Sequence, residues 1–330
     1  MARPVTYRYL LALLALLVLP SIAPGPQNKP ADPGNSAQFK IQLNVDLVVL
    51  NATVLDGKGV PVSGLRKEDF QVYEDGVLQQ INDFSHQDIP VTVGLVVDNS
   101  GSMGPKRPDV IAAALAFARS SNPADQIFVV NFNENVSFAL PRDKPFTDNV
   151  PELQMALATI RAQGMTALYD AVAAALDHLK KGDRDKKVLI VVSDGGDNAS
   201  TQRLDQIMVL AGRSDAVIYT LGIFDESDLD RNPSVLKQLS KATGGEAFLP
   251  RALSEVVPIC ERIAHDIRNQ YTISYVPANR APDGKYRVIQ VKAAGSGRGR
   301  LSVRTRTGYF VPLKPQSGPE PSIAAHDRPH

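Results

Sequence analysis

VGLVVDNSGSM, residues 93–103, joins two unlike halves. Val93, Gly94, Leu95, Val96 and Val97 form an unbroken apolar run. A run of that kind, closed by polar residues, is what a strand buried on both faces requires. Asp98, Ser100 and Ser102 then follow at intervals of two and place three hard oxygen donors in one short loop. A strand that ends so abruptly in acid and hydroxyl groups predicts a parallel sheet with chemistry at its carboxyl edge.

The pattern on the C-terminal side of this stretch agrees. Apolar strands (DQIFVVNFN, VSFALP, KKVLIVVSD, AVIYTLGIF, EAFLP) alternate with amphipathic helical segments. The helical segments are RPDVIAAALAFARSS, DNVPELQMALATIRA, ALYDAVAAALDHLKK, LDQIMVLAGRSD, PSVLKQLSKAT and SEVVPICERIAHDIRNQ. Alternation of this sort specifies an α/β, doubly wound, mostly parallel sheet with helices on both faces. It spans residues 89–270.

Both flanks change period. Residues 39–88 contain IQLNVDLVVLNATV, DFQVYEDG and VLQQINDF, with a tight turn at Glu74-Asp75-Gly76. Residues 271–312 contain YTISYVP, YRVIQVKAA and LSVRTRTGYFVP. Each flank reads as β structure, and neither is large enough for a core of its own. We therefore expect the two to pack together as one sandwich-like module, with the α/β domain inserted between them. The run Arg298, Arg300, Arg304, Arg306 reads as a solvated strand face.

The chain has 330 residues, 43 % hydrophobic and 22 % charged, with a formal net charge of +1. That balance suits a globular protein and argues against a nucleic-acid partner, which needs a clustered basic face. Arg3 and Arg8 precede the apolar run Leu10–Leu19, and Ser21 and Ala23 follow it. This is the order of a secretory signal over residues 1–23, although Pro24 directly after the cut would hinder cleavage and leave a membrane anchor. Residues 24–38 read as a Pro- and Gly-containing linker and residues 313–330 as a disordered tail. The single cysteine, Cys260, lies at helical spacing with Ile263 and Ile267 and reads as a packing residue.

Two further loops join the first. Asp194 ends KKVLIVVSD, and Thr166 sits in GMTALYDA ahead of a helix. Asp98, Ser100, Ser102, Thr166 and Asp194 thus offer two carboxylates and three hydroxyls at one sheet edge. Such oxygens suit Mg²⁺, Mn²⁺ or Ca²⁺, and the lack of His and Cys argues against zinc. Asp98 and Asp194 also suit helix caps, Asp197 a turn or a support behind the site, and Asp170 an outward-facing residue or a brace for its loop.

D-x-S-x-S after the first strand, G-x-T-x-L-x-D-A, and S-D-G after a later strand resemble the metal-ion-dependent adhesion site of von Willebrand factor type A domains. Asn99 stands where many members carry another small polar residue. The flanks resemble a secreted bacterial group of the same family, through Val62–Gly76, Asp283–Lys292 and Arg306–Pro312. The resemblance implies a Rossmann-like fold and one divalent cation, Mg²⁺ first, with Mn²⁺ or Ca²⁺ as alternatives. The five oxygen-bearing residues would hold it, and a carboxylate of a protein partner would complete it. It also implies a non-enzymatic protein that is secreted, periplasmic or on the cell surface. A structural module of an envelope complex is the alternative, and a metal-dependent hydrolase a third reading. A phosphatase would need an acid where Ser100 stands, and a serine hydrolase a histidine near Ser100 or Ser102. None of His86, His178, His265, His326 and His330 is well placed for that by sequence.

Overall fold

The computed structural model describes residues 47–158, 161–224 and 231–313. The signal or anchor, the linker and the start of the first β run lie outside these residues. So does the tail after Leu313.

Four strands precede the α/β region: β1 (Val48–Leu55), β2 (Phe70–Glu74), β3 (Val77–Gln79) and β4 (Ile81–Ser85). β5 (Val91–Asp98), α1 (Arg107–Ser120), β6 (Gln126–Phe132), β7 (Val136–Phe138), α2 (Val150–Ala158) and α3 (Leu168–Leu179) open the α/β region. It continues with β8 (Lys186–Ser193), α4 (Leu204–Arg213), β9 (Val217–Gly222), α5 (Pro233–Thr243), β10 (Ala247–Phe248) and α6 (Val256–Arg268). The chain then returns to β structure: β11 (Tyr271–Tyr275), β12 (Tyr286–Ala293), β13 (Ser302–Arg304) and β14 (Gly308–Phe310).

The central sheet has the order β10-β9-β8-β5-β6-β7. All its pairs are parallel except β6 with the edge strand β7. All eight residues of β5 are buried, which explains its unbroken apolar run. Side chains alternate between two cores, as a strand must. Val188, Ile190 and Val192 face α1, α2 and α6, whereas Leu189 and Val191 face α3, α4 and α5. Cys260 belongs to the first core, at 2 % exposure. Gly94 lets the Phe128 ring and Leu189 close over β5, since a Cβ there would meet both within 2.6 Å.

The two β flanks form one sandwich. One sheet runs β13-β1-β11-β4 and the other β14-β12-β2-β3. Residues more than two hundred positions apart are paired, as in Val48 with Tyr275 and Val72 with Val291. Leu50, Val54, Phe70, Val72, Tyr271 and Ile273 fill the space between the sheets. The inserted domain leaves from β4 and returns through β11, which pair with each other.

Two runs that read as single strands are broken. VLQQINDF divides at Gln80, with β3 in one sheet and β4 in the other. LSVRTRTGYFVP divides at Thr305–Thr307, again with its halves in opposite sheets. At each break the chain turns a corner of the sandwich, and local periodicity carries no mark of it.

The arginine run is also corrected. Arg304 and Arg306 do not line a solvated face: their side chains are 18 % and 11 % exposed. Arg304 pairs with Glu246 and with Asp266 of α6. Arg306 donates to the Gly212 carbonyl at the end of α4, at 2.7 Å. Both therefore fasten the sandwich to the α/β domain. Arg298 donates to the Ser63 carbonyl, and Arg300 is exposed.

Candidate functional site

The order of the central sheet reverses between β5 and β8. After β5 the chain moves outward through β6 and β7, then crosses back to lay β8 on the other side. Such a switch point opens a crevice beyond the carboxyl ends of the two strands. Asp98 ends β5, Ser193 ends β8 and Asp194 follows it directly, so both acids stand at the mouth of this crevice.

Hydrogen bonds join the loops. The Ser100 N–H donates to Asp98 Oδ1 at 2.8 Å, which turns the chain back toward the acid. The Ser102 hydroxyl donates to Asp194 Oδ2 at 2.6 Å and lies 3.2 Å from the Ser100 hydroxyl. Asp194 Oδ1 accepts the Gly196 N–H at 3.0 Å. Both acids thus serve turns of their own loops rather than capping helices: α1 starts after Lys106, well past the Asp98 turn.

The threonine loop docks alongside. The Gly101 N–H donates to the Gly164 carbonyl, and the Thr166 carbonyl accepts from the Asn198 and Ala199 N–H groups. The Asn198 side chain accepts the Thr166 N–H at 2.8 Å. Asp170 braces the loop after Asp194 by accepting from the Thr201 and Gln202 N–H groups. Asp197 accepts from the Tyr169 N–H at the start of α3 and from the Ser200 hydroxyl. It is thus a tie between two loops, which a bare turn reading understates.

The electrostatics are unusual. Asp98 is 2 % and Asp194 5 % exposed. Neither forms an ion pair with Lys or Arg among the described residues. Burial pushes the Asp98 carboxyl up to about 6, with the Asp194 charge acting in the same direction. Hydrogen bonds from Ser193 and Ser100 only partly oppose that. Among the described residues no three His, Cys, Asp or Glu side chains converge. The donor set is two carboxylates with hydroxyls around them. Two buried acids with convergent hydroxyls and no basic partner among the described residues fit a small hard cation.

Three contributors escape a reading of the sequence. The Ser193 hydroxyl donates to Asp98 Oδ2 at 2.6 Å, and its place beside Asp194 was the available signal. Asn198 holds the threonine loop, with no signal beyond its nearness to Asp194. Glu134, after β6, accepts the Met165 N–H at 3.0 Å. Its carboxylate lies where a Cβ on Gly164 would sit, and Gly164 has φ 81°, so glycine is required there on both counts. A hydrogen bond of this kind contributes about 1 kcal/mol. Glu134→Ala is therefore expected to speed amide hydrogen exchange at Met165 roughly fivefold, and Glu134→Gln to leave it near the wild-type rate.

Residues 93–196 match the family model of the von Willebrand factor type A domain. Residues 93–196 thus carry a domain of this family, within a Rossmann-like doubly wound sheet; the flanks outside the match build the β-sandwich. The fold is similar to a von Willebrand factor type A protein from Catenulispora acidiphila, at 14 % identity and a TM-score of 0.50, over 72 % of this chain and 75 % of that one. It also matches the von Willebrand domain of the type V pili tip protein Mfa5 from Porphyromonas gingivalis. That match has 14 % identity and a TM-score of 0.46, over 55 % of this chain and 95 % of that one. Proximal thread matrix protein 1 from the mussel byssus, solved with a zinc-occupied adhesion motif, matches at 16 % identity and a TM-score of 0.46. That match covers 55 % of this chain and 48 % of that one. No curated protein matches the chain.

Proposed function

We propose that this protein is a non-enzymatic binding module in which Asp98, Ser100, Ser102, Thr166 and Asp194 hold one divalent cation that engages an acidic group of a protein partner. One observation carries the reading. Two buried carboxylates meet hydroxyls from separate loops at the switch point, and among the described residues no basic side chain pairs with either acid. A bound dication, Mg²⁺ first, with Mn²⁺ or Ca²⁺ as alternatives, would supply positive charge that the surrounding neutral hydroxyls leave largely unspent. The outer face of the site is open at Gly101 and Met165, where a partner's carboxylate could approach.

The histidines support a binding role over hydrolysis. His86 stacks on Tyr271 and contacts the Asn269 carbonyl. His178 is enclosed by Phe128, Phe138 and Phe146. His265 lies in the last turn of α6. None of these three is bonded to a site hydroxyl, so Ser100 and Ser102 lack a histidine base among the described residues.

We place the module, at residues 89–270, outside the cytoplasm, in the envelope or secreted. That placement rests on the Arg3, Arg8 and Leu10–Leu19 pattern. Among the described residues no helix is long and apolar enough to cross a membrane. The test is crosslinking of the full chain in intact cells with and without a chelator. Partner capture that disappears on chelation and returns with Mg²⁺ or Mn²⁺ supports the reading. Capture that ignores chelation assigns the chain to the structural alternative.

A further inference from the structure

A second cavity lies far from the two acids, where the sandwich meets the end of α4. Its volume is about 310 Å³, and Arg213, Asp215, Arg280, Arg306 and Tyr309 line its polar side. Leu47, Val49, Pro277, Phe310 and Val311 are among its other lining residues. Ligand sites of this size and mixed lining favour junctions between structural units.

The three arginines are not equivalent. Arg306 is spent on structure: it donates to the Gly212 and Gly308 carbonyls at 2.7 and 3.0 Å, and Asp215 lies 3.6 Å away. Arg213 and Arg280 are exposed and have no acidic partner among the described residues. The lining therefore sets three guanidinium groups against one carboxylate, which is itself 82 % exposed. Apolar walls around such a group of charges strengthen its field and favour an anion.

One wall of the cavity is strand. β1 pairs with β11 along Val48–Ala52, but on its other side β13 covers only Thr53–Leu55. The Thr305 hydroxyl donates to the Asn51 carbonyl and ends that coverage. Before Asn51 this side of β1 has no strand partner among the described residues, and Leu47–Val49 line the cavity. A strand edge beside apolar walls and two uncommitted guanidinium groups is suited to an extended peptide that ends in a carboxylate.

We propose that this cavity binds the apolar C-terminal end of an extended peptide, with Arg213 and Arg280 holding its terminal carboxylate and the start of β1 pairing with its backbone. The site is independent of the metal reading. The probe is a fluorescein-labelled hexapeptide pool, randomised among Val, Ile, Leu and Phe at its last four positions, made as free acid and as amide. Fluorescence anisotropy with the full chain should show saturable binding of the acid and loss of roughly tenfold or more in affinity for the amide. Arg213→Ala with Arg280→Ala should lose a similar factor for the acid while keeping the wild-type melting temperature, since both side chains are exposed.

Three results overturn the proposal: no saturation by the acid pool at millimolar protein, equal binding of acid and amide, or unchanged binding by the double variant. Competition by octanoate as effective as by the unlabelled peptide assigns the cavity to a fatty acid instead. A chain ending at Leu313 that binds the pool tenfold more tightly shows that the protein's own tail fills it. Either outcome also overturns the proposal.

Discussion

Asp98→Asn is expected to remove the Mg²⁺ response of this protein without unfolding it. Asp98 is almost fully buried and accepts from the Ser100 N–H and the Ser193 hydroxyl. An asparagine keeps an acceptor for Ser100, and its amide can donate to the serine oxygen. The sign of the pH effect follows from the folded-state value. Burial raises the carboxyl from 3.8 to about 6, so its ionised form is the disfavoured one in the fold. The penalty is complete above about pH 6 and is gone below about pH 4, where the group is neutral in both states. Its size is about 3 kcal/mol at most for a shift of this extent.

A cation bound at neutral pH stabilises the fold by about 2.7 kcal/mol at a hundredfold excess over its dissociation constant, a figure that already contains the relief of that penalty. Thermal unfolding should therefore show a Mg²⁺-dependent rise in melting temperature at pH 7 that shrinks as the pH falls through 6. Asp98→Asn without metal should be at least as stable as the wild type at pH 7. It should be indifferent to Mg²⁺ at either pH. An equal Mg²⁺ response in wild type and variant would remove Asp98 from the site.

The second large effect lies at the junction with the sandwich. Arg304→Met strips the cation from Asp266, a fully buried acid of α6. Breaking one side of a buried pair costs about 3–5 kcal/mol, because the other charge stays behind without compensation. Glu246 suffers less, since Arg262 also pairs with it at 3.2 Å. Urea unfolding should show that loss in the single variant. Arg304→Met combined with Asp266→Leu should recover most of it, because a packed apolar pair in the same space carries no stranded charge. Failure of the double variant to recover would mean that Arg304 acts mainly through Glu246.

These two sites differ in how far the sequence exposed them. The acids and hydroxyls follow strand ends and sit at short spacings, so VVDNSGS and VVSDGG could be read directly. The parallel sheet was legible for the same reason: the apolar run of β5 is buried at every position, and no other local pattern needs that. Arg304 was misread because its partners come from β10's neighbourhood and α6, dozens of residues away. An alternating arginine reads alike whether water or a buried carboxylate meets it. The corners at Gln80 and at Thr305–Thr307 were hidden because residues on both sides of each keep the same two-residue period. Glu134 lay out of reach because the Met165 N–H that it accepts lies 31 positions away in sequence.

The sandwich has a mechanical consequence. The chain enters it through β1 and leaves it after β14, whereas the α/β domain is spliced in between β4 and β11, two strands that pair with each other. Tension applied between the two outer strands is carried by sheet pairing and by the apolar layer between the sheets. A pull on the flanks therefore reaches the spliced-in domain through the β4–β11 ladder and through the ties that Arg304 and Arg306 make to it.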